Sequence, residues 1–175
     1  MDNHNQREIE IKILNINVEE IKKKLLDLGA KEIFNGEVHA ILLDFPDKRM
    51  INADRFIRVR KVGNQTELCY KGEKEKDSQF KSREEIEVNT NDFETTLKIF
   101  KKIGLKEFHE GRKRRESYKI NNTRFEIDSW ANIPAFLEIE SNDKNKIKEY
   151  VEKLGYTMEN TTTISFHEIE EMYKK

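Results

Sequence analysis

The chain has 175 residues, 38% of them charged, and its 33 basic and 34 acidic side chains leave a formal net charge of -1. A general nucleic-acid or membrane-surface binder would show a basic excess, so this balance argues against both classes of partner. We expect residues 1–175 to form a single domain with a buried core, and residues 1–6 to form a disordered tail. Cys69 is the only cysteine, so neither a disulfide framework nor a cysteine zinc cluster is expected.

The N-terminal residues and the apolar runs show whether the sequence contains a signal peptide or a membrane-spanning segment. The first six residues are polar and include no apolar signal region. The longest apolar run, at 40–43, is far too short to span a bilayer. We therefore predict a soluble, cytoplasmic protein of a reducing compartment.

Hydrophobic periodicity predicts strands and helices in alternation along the chain. A first helix is expected between Asn17, whose side chain suits an N-cap, and Gly29. Two further helices are predicted at 92–103 and 143–154, and a short amphipathic segment at 164–173. Residues 72–79 are expected to form a charged connection, and Pro134 to lie in a turn. The predicted strands are 7–14, 31–45, 55–61, 66–71, 80–88, 106–120, 123–130 and 135–140.

A short motif recurs along the sequence. Glu-Ile-Glu occurs at 8–10, 85–87 and 138–140, and each copy belongs to a predicted strand that leads into a helix. The three helices are followed by Gly29, Gly104 and Gly155. This pattern predicts a repeated strand–helix–strand unit within one domain.

Charged and apolar residues alternate along the predicted strands, which separates them onto two faces. In the first strand Glu8, Glu10 and Lys12 share one face, whereas Ile9 and Ile11 share the other. An ordinary solvated sheet face mixes Thr, Ser, Gln and Lys, but this one is almost entirely ionic. On the later strands the ionic face carries Arg58, Arg60, Glu67, Lys71, Arg83, Glu85, Glu87, Lys113, Arg115, Arg124, Glu126, Asp128, Glu138 and Glu140.

About eight such strands can close into a barrel that turns this ionic face inward. The predicted fold is therefore α+β: a closed eight-stranded antiparallel β-barrel with a charged interior and helices packed outside. Enclosed charges are costly without partners, so the interior should hold ions or water. Clustered arginines suit phosphate oxygens, and clustered carboxylates suit Mg²⁺ or Mn²⁺. A metal-bridged polyphosphate would satisfy both sets, whereas a solvated sheet face is the alternative interpretation.

From about residue 7 to 172 the chain resembles the CYTH, or triphosphate tunnel metalloenzyme, superfamily, which includes class IV adenylyl cyclases and thiamine triphosphatases. The Glu-x-Glu-x-Lys motif stands at 8–12, and paired arginines follow at 58 and 60. A lysine before glycine stands at 71–72 and Ser-Arg-Glu-Glu at 82–85. The remaining matches are Lys113, Arg115 and Tyr118 of the basic strand, Asp128, and the Phe-x-Glu-Ile-Glu segment at 136–140.

The resemblance implies a role for each matched residue. Glu85 and Lys12 are the candidate catalytic residues; Glu85 is a candidate to orient an attacking water, and no general base is identified. The residues implied to bind the triphosphate are Lys12, Arg58, Arg60, Lys71, Arg83, Lys113 and Arg115. The residues implied to hold Mg²⁺ or Mn²⁺ are Glu8, Glu10, Asp128, Glu138 and Glu140.

Three functions fit these roles. A class IV adenylyl cyclase forms cyclic AMP and pyrophosphate from ATP, whereas a triphosphatase hydrolyses tripolyphosphate, thiamine triphosphate or a nucleoside triphosphate. A non-catalytic polyphosphate-binding module would lose carboxylates, yet all three Glu-Ile-Glu copies persist. Overall length and the segment 165–169 favour the cyclase-like branch. A homodimer is compatible with the family, although no sequence feature points to one.

Several other residues carry structural expectations. His39, His109 and His167 show no metal-ligand spacing. Trp130 and Phe136 are expected to cap the barrel end rather than stack on a base. Cys69 is expected to pack in the interior rather than act as a nucleophile.

Overall fold

The computed structural model describes residues 5–75 and 79–174, with side chains described from Ile9 onward. The strands are β1 (Asn5–Ile13), β2 (Lys31–Asp44), β3 (Phe56–Val62), β4 (Gln65–Lys74), β5 (Lys81–Thr90), β6 (Lys106–Ile120), β7 (Thr123–Trp130), β8 (Ile133–Ser141) and β9 (Thr161–Thr162). The α-helices are α1 (Val18–Asp27), α2 (Phe93–Lys102), α3 (Lys144–Lys153) and α4 (Phe166–Tyr173), and short 3₁₀ helices lie at Ile51–Ala53 and Met158–Asn160. Within these residues, no helix has the length and apolar character needed to cross a membrane.

Strand pairing closes the sheet. The strand order is β5-β4-β3-β2-β6-β7-β8-β1-β9, and β5 also pairs with β1. The eight longer strands therefore form a closed antiparallel barrel with the helices outside, and the predicted α+β fold class is confirmed. The two-residue strand β9 pairs with the end of β1.

Contacts along the chain divide it into two compact units. Among the described residues, the first unit comprises 5–7, 36–75 and 83–112, and the second comprises 8–35, 79–82 and 113–174. Strands β1, β2, β5 and β6 contribute residues to both units. The single domain expected from the sequence stays a prediction.

The core of the second unit lies where α1 and α3 cover the apolar faces of β1, β7 and β8. Ile11, Ile127 and Ile139 are the strand contribution, and each is at most 1% exposed. Leu25 of α1 and Val151 of α3 pack in the same cluster and are fully buried. This packing uses the apolar residues that alternate with charged ones in each strand, as the sequence pattern predicts.

The core of the first unit forms between α2 and the strands β2 and β3. Phe93 and Leu97 of α2 pack in one cluster with Ile41, Leu43 and Val59. Because Val59 alternates with charged residues, the neighbouring arginines of β3 lie on the strand face away from α2.

The three long helices begin and end alike. The side chains of Asn17, Asp92 and Asp143 each accept a backbone N–H bond at the helix N-terminus. After the helices, Gly29 and Gly155 adopt φ values of 84° and 86°, in the left-handed region that costs glycine little. Gly104 does the same after α2. Shared caps and stops support the predicted strand–helix–strand repeat.

Several sequence-based boundaries differ from the structure. Strand β4 continues to Lys74 through a register shift, so residues 72–74 belong to the strand instead of the connection, and Lys74 pairs with Arg83 of β5. Pro134 lies within β8 rather than in the preceding turn. Residues 5 and 6 belong to β1 rather than to a disordered tail, whereas the prediction for residues 1–4 lies outside the described residues.

Replacing Ile127 with alanine should lower the free energy of unfolding by about 2–5 kcal/mol, because it removes buried methyl groups from a packed interior. Urea denaturation followed by far-UV circular dichroism measures the change. Ile99→Ala is the matched control: this side chain is 57% exposed, and its loss should change stability by less than about 0.5 kcal/mol. Equal destabilisation by the two variants would contradict this placement of the core.

Candidate functional site

Two groups of charged side chains lie on the strand faces opposite the apolar cores, and each belongs to one unit. We call the group in the first unit the β3–β5 ion cluster. It consists of Arg58, Arg60, Glu67, Lys71, Glu85 and Glu87. We call the group in the second unit the β1–β8 ion cluster. It consists of Glu10, Lys12, Lys81, Lys113, Arg115, Glu126, Asp128 and Glu138.

Strand register builds the β3–β5 ion cluster by placing opposite charges side by side. Arg60 lies opposite Glu67 in the β3–β4 pair, and the two form an ion pair. Lys71 lies opposite Glu85 in the β4–β5 pair, and these side chains also form an ion pair. Glu87 Oε2 lies 3.6 Å from Arg60 Nη2. Cross-strand pairs of this kind stabilise the sheet while they hold the cations in fixed positions.

Arg83 is fixed by a loop residue that the sequence analysis did not identify. This arginine is only 3% exposed, and its Nη2 lies 3.2 Å and 3.3 Å from the two carboxylate oxygens of Asp54. Asp54 ends the 3₁₀ helix with a φ of 52°, and it also accepts a 3.0 Å bond from the backbone N–H of Lys74. Nothing in the sequence marks Asp54, because its role depends on the loop conformation.

Two guanidinium groups of the first unit retain buried donors. Within the described chain, Nε of Arg58 and Nε of Arg83 are buried and have no hydrogen-bond partner. A buried N–H without an acceptor costs roughly 1–3 kcal/mol. Phosphate oxygens are suitable acceptors for such groups, since guanidinium binds them with two parallel N–H bonds.

Cys69 lies beside this cluster but is not suited to nucleophilic attack. Its Sγ is 3.7 Å from Glu85 Oε2, and the residue is fully buried. Burial raises the pKa of the Cys69 thiol to about 11, although Arg58 favours the thiolate. The thiol is therefore protonated near neutral pH, in keeping with the predicted packing role.

Lys12 lies at the centre of the β1–β8 ion cluster and is 1% exposed. Its Nζ is 2.7 Å from Glu10 Oε1 and 3.2 Å from Glu138 Oε1. Burial opposes the charged form, but the two carboxylates outweigh it and raise the pKa of Lys12 above its usual value. The buried lysine is therefore a permanent cation over the working range of pH.

Lys81 is a second cation on Glu10, and the sequence analysis missed it. The two side chains form an ion pair within the second unit. A signal was present, because Lys81 has the same odd parity in its strand as Arg83 and Glu85. The family motif at 82–85 begins just after this position and so does not include Lys81.

Asp128 joins the two basic residues of β6. Its carboxylate is fully buried and accepts 2.6 Å bonds from Arg115 Nε and Nη2 and a 2.5 Å bond from Lys113 Nζ. Arg115 also pairs with Glu126 and reaches Glu138 Oε2 at 2.8 Å. These bonds hold the Arg115 guanidinium in one orientation.

The charges of this cluster affect its members in different ways. Burial disfavours the ionised guanidinium of Arg115, but Asp128 and Glu126 raise its pKa well above the usual value. Burial and the neighbouring Arg115 lower the pKa of Lys113, because the attraction of Asp128 offsets only part of their effect. Burial favours protonation of Glu138, yet Lys12 and Arg115 hold its pKa below the usual range. Glu138 is therefore a carboxylate that can donate oxygen ligands.

The carboxylates implied to hold a metal fit a hard divalent cation by donor type. Glu10 lies opposite Glu140, and Glu138 lies next to them on β8. In the structure Glu10, Asp128 and Glu138 accept bonds from protein cations, so a bound metal ion would take over part of that role. The side chain of Glu8 lies outside the described side chains.

Among the described residues, the ligand atoms that lie close enough together to share one cation do not belong to these carboxylates. They belong to side chains of α4. His167, Glu170 and Glu171 bring one ligand atom each within 4.8 Å of one another. This corrects the expectation that His167 has no metal-ligand spacing, since helical spacing places the three on one face of α4. The three residues lie outside both ion clusters, and Lys174 pairs with both glutamates.

Replacing Asp128 with asparagine should destabilise the protein by about 3–5 kcal/mol, because Lys113 and Arg115 would lose a buried counter-charge. The melting temperature measured by calorimetry should fall accordingly. The control Asp47→Asn removes a carboxylate that is 57% exposed, and it should leave the melting temperature unchanged. An unaltered melting temperature in Asp128→Asn would show that the bonds to Asp128 contribute little to stability.

Cys69 should resist alkylation in the folded protein, because burial and its raised pKa leave little exposed thiolate. Treatment with iodoacetamide at pH 8 followed by mass spectrometry should show an unmodified chain. The same treatment in denaturant should add one label, since Cys69 is the only cysteine. Rapid labelling without denaturant would contradict the buried position.

Comparison with known proteins places this geometry in a family. The CYTH domain model matches residues 6–170. A Methanocaldococcus jannaschii protein named as a candidate adenylate cyclase is 35% identical over 147 residues, which cover 81% of this chain and 83% of that protein.

Solved structures agree with the sequence match. The PH1012 protein of Pyrococcus horikoshii has a TM-score of 0.77 and 28% identity, and the match covers 93% of this chain and 98% of that one. An adenylyl cyclase candidate from Hippeastrum, described as having a dominant triphosphatase activity, shares the fold with a TM-score of 0.70, 12% identity and coverage of 96% and 97%. The resemblance predicted from the motifs is confirmed, and the chain belongs to the CYTH domain family.

Proposed function

We propose that this protein is a divalent-metal-dependent enzyme that acts on a triphosphate, most like a class IV adenylyl cyclase converting ATP to cyclic AMP and pyrophosphate. The observation that carries this proposal is the set of buried cations, among which Arg58 and Arg83 keep buried Nε–H groups that find no acceptor among the described residues. A triphosphate supplies the acceptor oxygens that these groups lack. Family membership supports the same substrate class.

The proposed roles follow the positions of the side chains. Lys12 and Arg115 are buried, and neighbouring carboxylates hold each in the charged form. Such preorganised cations stabilise the charge that develops on a transferred phosphoryl or nucleotidyl group, because they need no reorganisation during the reaction. The residues proposed to bind phosphate oxygens are Lys12, Arg58, Arg60, Lys71, Arg83, Lys113 and Arg115.

The proposed metal ligands are the carboxylates of the first, seventh and eighth strands. Glu8, Glu10, Asp128, Glu138 and Glu140 would hold Mg²⁺ or Mn²⁺, which when bound neutralises phosphate charge and polarises the reacting phosphorus. Glu138 is suited to this role because its pKa lies below the usual range. Lys12 and Lys81 both pair with Glu10. If a metal ion took their place on Glu10, the two ammonium groups would become available to phosphate oxygens.

Glu85 is proposed to orient the attacking group. It is 6% exposed and pairs with Lys71, so its carboxylate is held in a fixed place. In the cyclase reaction the group is the ribose 3′-hydroxyl, which attacks the α-phosphorus as pyrophosphate leaves. In a triphosphatase it is water, which attacks the γ-phosphorus; the bond to the β–γ bridging oxygen breaks, the diphosphate leaves, and the γ-phosphoryl group is released as orthophosphate.

Hydrolysis of a triphosphate is the second candidate function. The relative from Methanocaldococcus jannaschii bears a cyclase name, which favours cyclisation. The Hippeastrum protein shows that the same fold carries triphosphatase activity in another chain. Both reactions use the same phosphate-binding side chains, so product analysis is needed to separate them.

Incubation with ATP, tripolyphosphate or thiamine triphosphate, each with Mg²⁺ or Mn²⁺, should distinguish the reactions. We expect cyclic AMP and pyrophosphate from ATP, resolved by anion-exchange chromatography. Glu10→Gln should lower turnover at least about a hundredfold, since it weakens metal binding and the contacts to Lys12 and Lys81. Omission of the metal should have a similar effect.

The control for this experiment is Glu37→Gln, because that side chain is 67% exposed and its ion-pair partner among the described residues is the exposed Arg112. It should retain full activity. Orthophosphate without cyclic product would establish the triphosphatase instead. Metal-dependent binding of all three compounds without turnover would indicate a non-catalytic binding module.

A further inference from the structure

Trp130 forms an aromatic pair with Phe166 in the second unit. The ring centroids are 3.9 Å apart and the ring planes are inclined by 19°, which is a stacked arrangement. Phe166 is the first residue of α4, where Ser165 and Glu168 form a reciprocal capping box. This cap fixes the start of the helix, and so it fixes the ring that backs Trp130.

A shift in the register between β7 and β8 sets the direction of the Trp130 side chain. Asp128 pairs with Phe136 and Trp130 pairs with Ile133, so the β7–β8 register shifts between the two positions. Such bulges re-aim a side chain and are frequent beside functional sites. Phe136 is 1% exposed and therefore packs in the interior, whereas Trp130 is half-buried.

Trp130 lies next to one of the proposed phosphate-binding cations. Lys113 Nζ is 5.8 Å from the centroid of the indole ring, and the same nitrogen donates to Asp128. The indole Nε1–H is buried and has no hydrogen-bond partner in the described part of the chain. An indole nitrogen of this kind normally finds an acceptor, so its environment is incomplete without a further group.

We propose that Trp130, backed by Phe166, binds the aromatic heterocycle of the substrate while Lys113 binds the attached phosphate. The indole face offers a stacking surface for a flat ring, and its Nε1–H offers a donor to a ring nitrogen or oxygen. The ligand class is a heterocyclic triphosphate, either a nucleoside triphosphate or thiamine triphosphate. This inference rests on the proposed function, and it replaces the expectation that Trp130 only caps the barrel end.

Calorimetric titration of the full chain with ATP, thiamine triphosphate and tripolyphosphate, each in the presence of Mg²⁺, tests the inference. In Trp130→Leu the dissociation constant of the preferred heterocyclic triphosphate should rise about tenfold, because stacking is lost. The dissociation constant of tripolyphosphate, which has no ring, should change less than about twofold. Comparison of ATP with thiamine triphosphate identifies which heterocycle the site accepts.

Two further measurements test the inference even if Trp130→Leu does not fold. Trp130→Phe keeps a ring against Phe166 but removes the Nε1–H donor, and it should weaken heterocycle binding by about threefold with tripolyphosphate again unaffected. In the wild-type protein Trp130 is the only tryptophan, so its fluorescence should be quenched more strongly by the preferred heterocyclic triphosphate than by tripolyphosphate. Tyr173→Leu, an aromatic change on the same helix, is the control and should leave all dissociation constants unchanged.

The outcomes separate the inference from the function on which it rests. If wild-type protein binds tripolyphosphate and a heterocyclic triphosphate, and Trp130→Leu weakens both equally or neither, Trp130 is structural and the inference is wrong. If the wild-type protein binds none of the three compounds, the proposed function itself fails. Selective loss of the heterocyclic compound supports both.

Discussion

The need to pair buried charges governs how the strands of this protein are arranged. Lys12, Arg115 and Asp128 are almost completely withdrawn from solvent, and unpaired ions in such positions would be too costly to retain. Each one is paired with a carboxylate or cation on the same or a neighbouring strand. The ionic face can therefore exist only if the strand register is kept, because a shift of one residue would move every charge to the other face.

The two ion clusters meet this constraint to different degrees. In the second unit Asp128 accepts three bonds, and the guanidinium of Arg115 is shared among three carboxylates. In the first unit Arg58 and Arg83 keep buried donors without acceptors among the described residues. The guanidinium of the second unit is thus fully engaged by carboxylates, whereas guanidinium groups of the first unit retain donors that an anion could accept from. Unused donors of this kind favour a ligand over a purely structural role for the arginines.

The aromatic pair of Trp130 and Phe166 adds a different kind of recognition beside the charges. Cationic side chains bind a triphosphate regardless of the organic group attached to it, because every triphosphate presents similar oxygens. Discrimination between an inorganic and an organic triphosphate therefore needs a group that contacts the organic part. A half-buried indole next to Lys113 is suited to that purpose. Charge and ring recognition would then reside on separate side chains that can be altered independently.

The alternation of ionic and apolar residues, the ends of the helices and the family can all be read from the chain alone, since they depend on short motifs and on neighbours in sequence. Glu10, Lys12 and Glu138 could be placed on one face from parity alone. Which charged side chains pair with each other is apparent only from the three-dimensional structure. The contact of Lys81 with Glu10 joins residues 71 positions apart, and the contact of Arg83 with Asp54 joins residues 29 apart. Such contacts depend on loop conformation and on shifts of register, and neither is encoded in a local pattern.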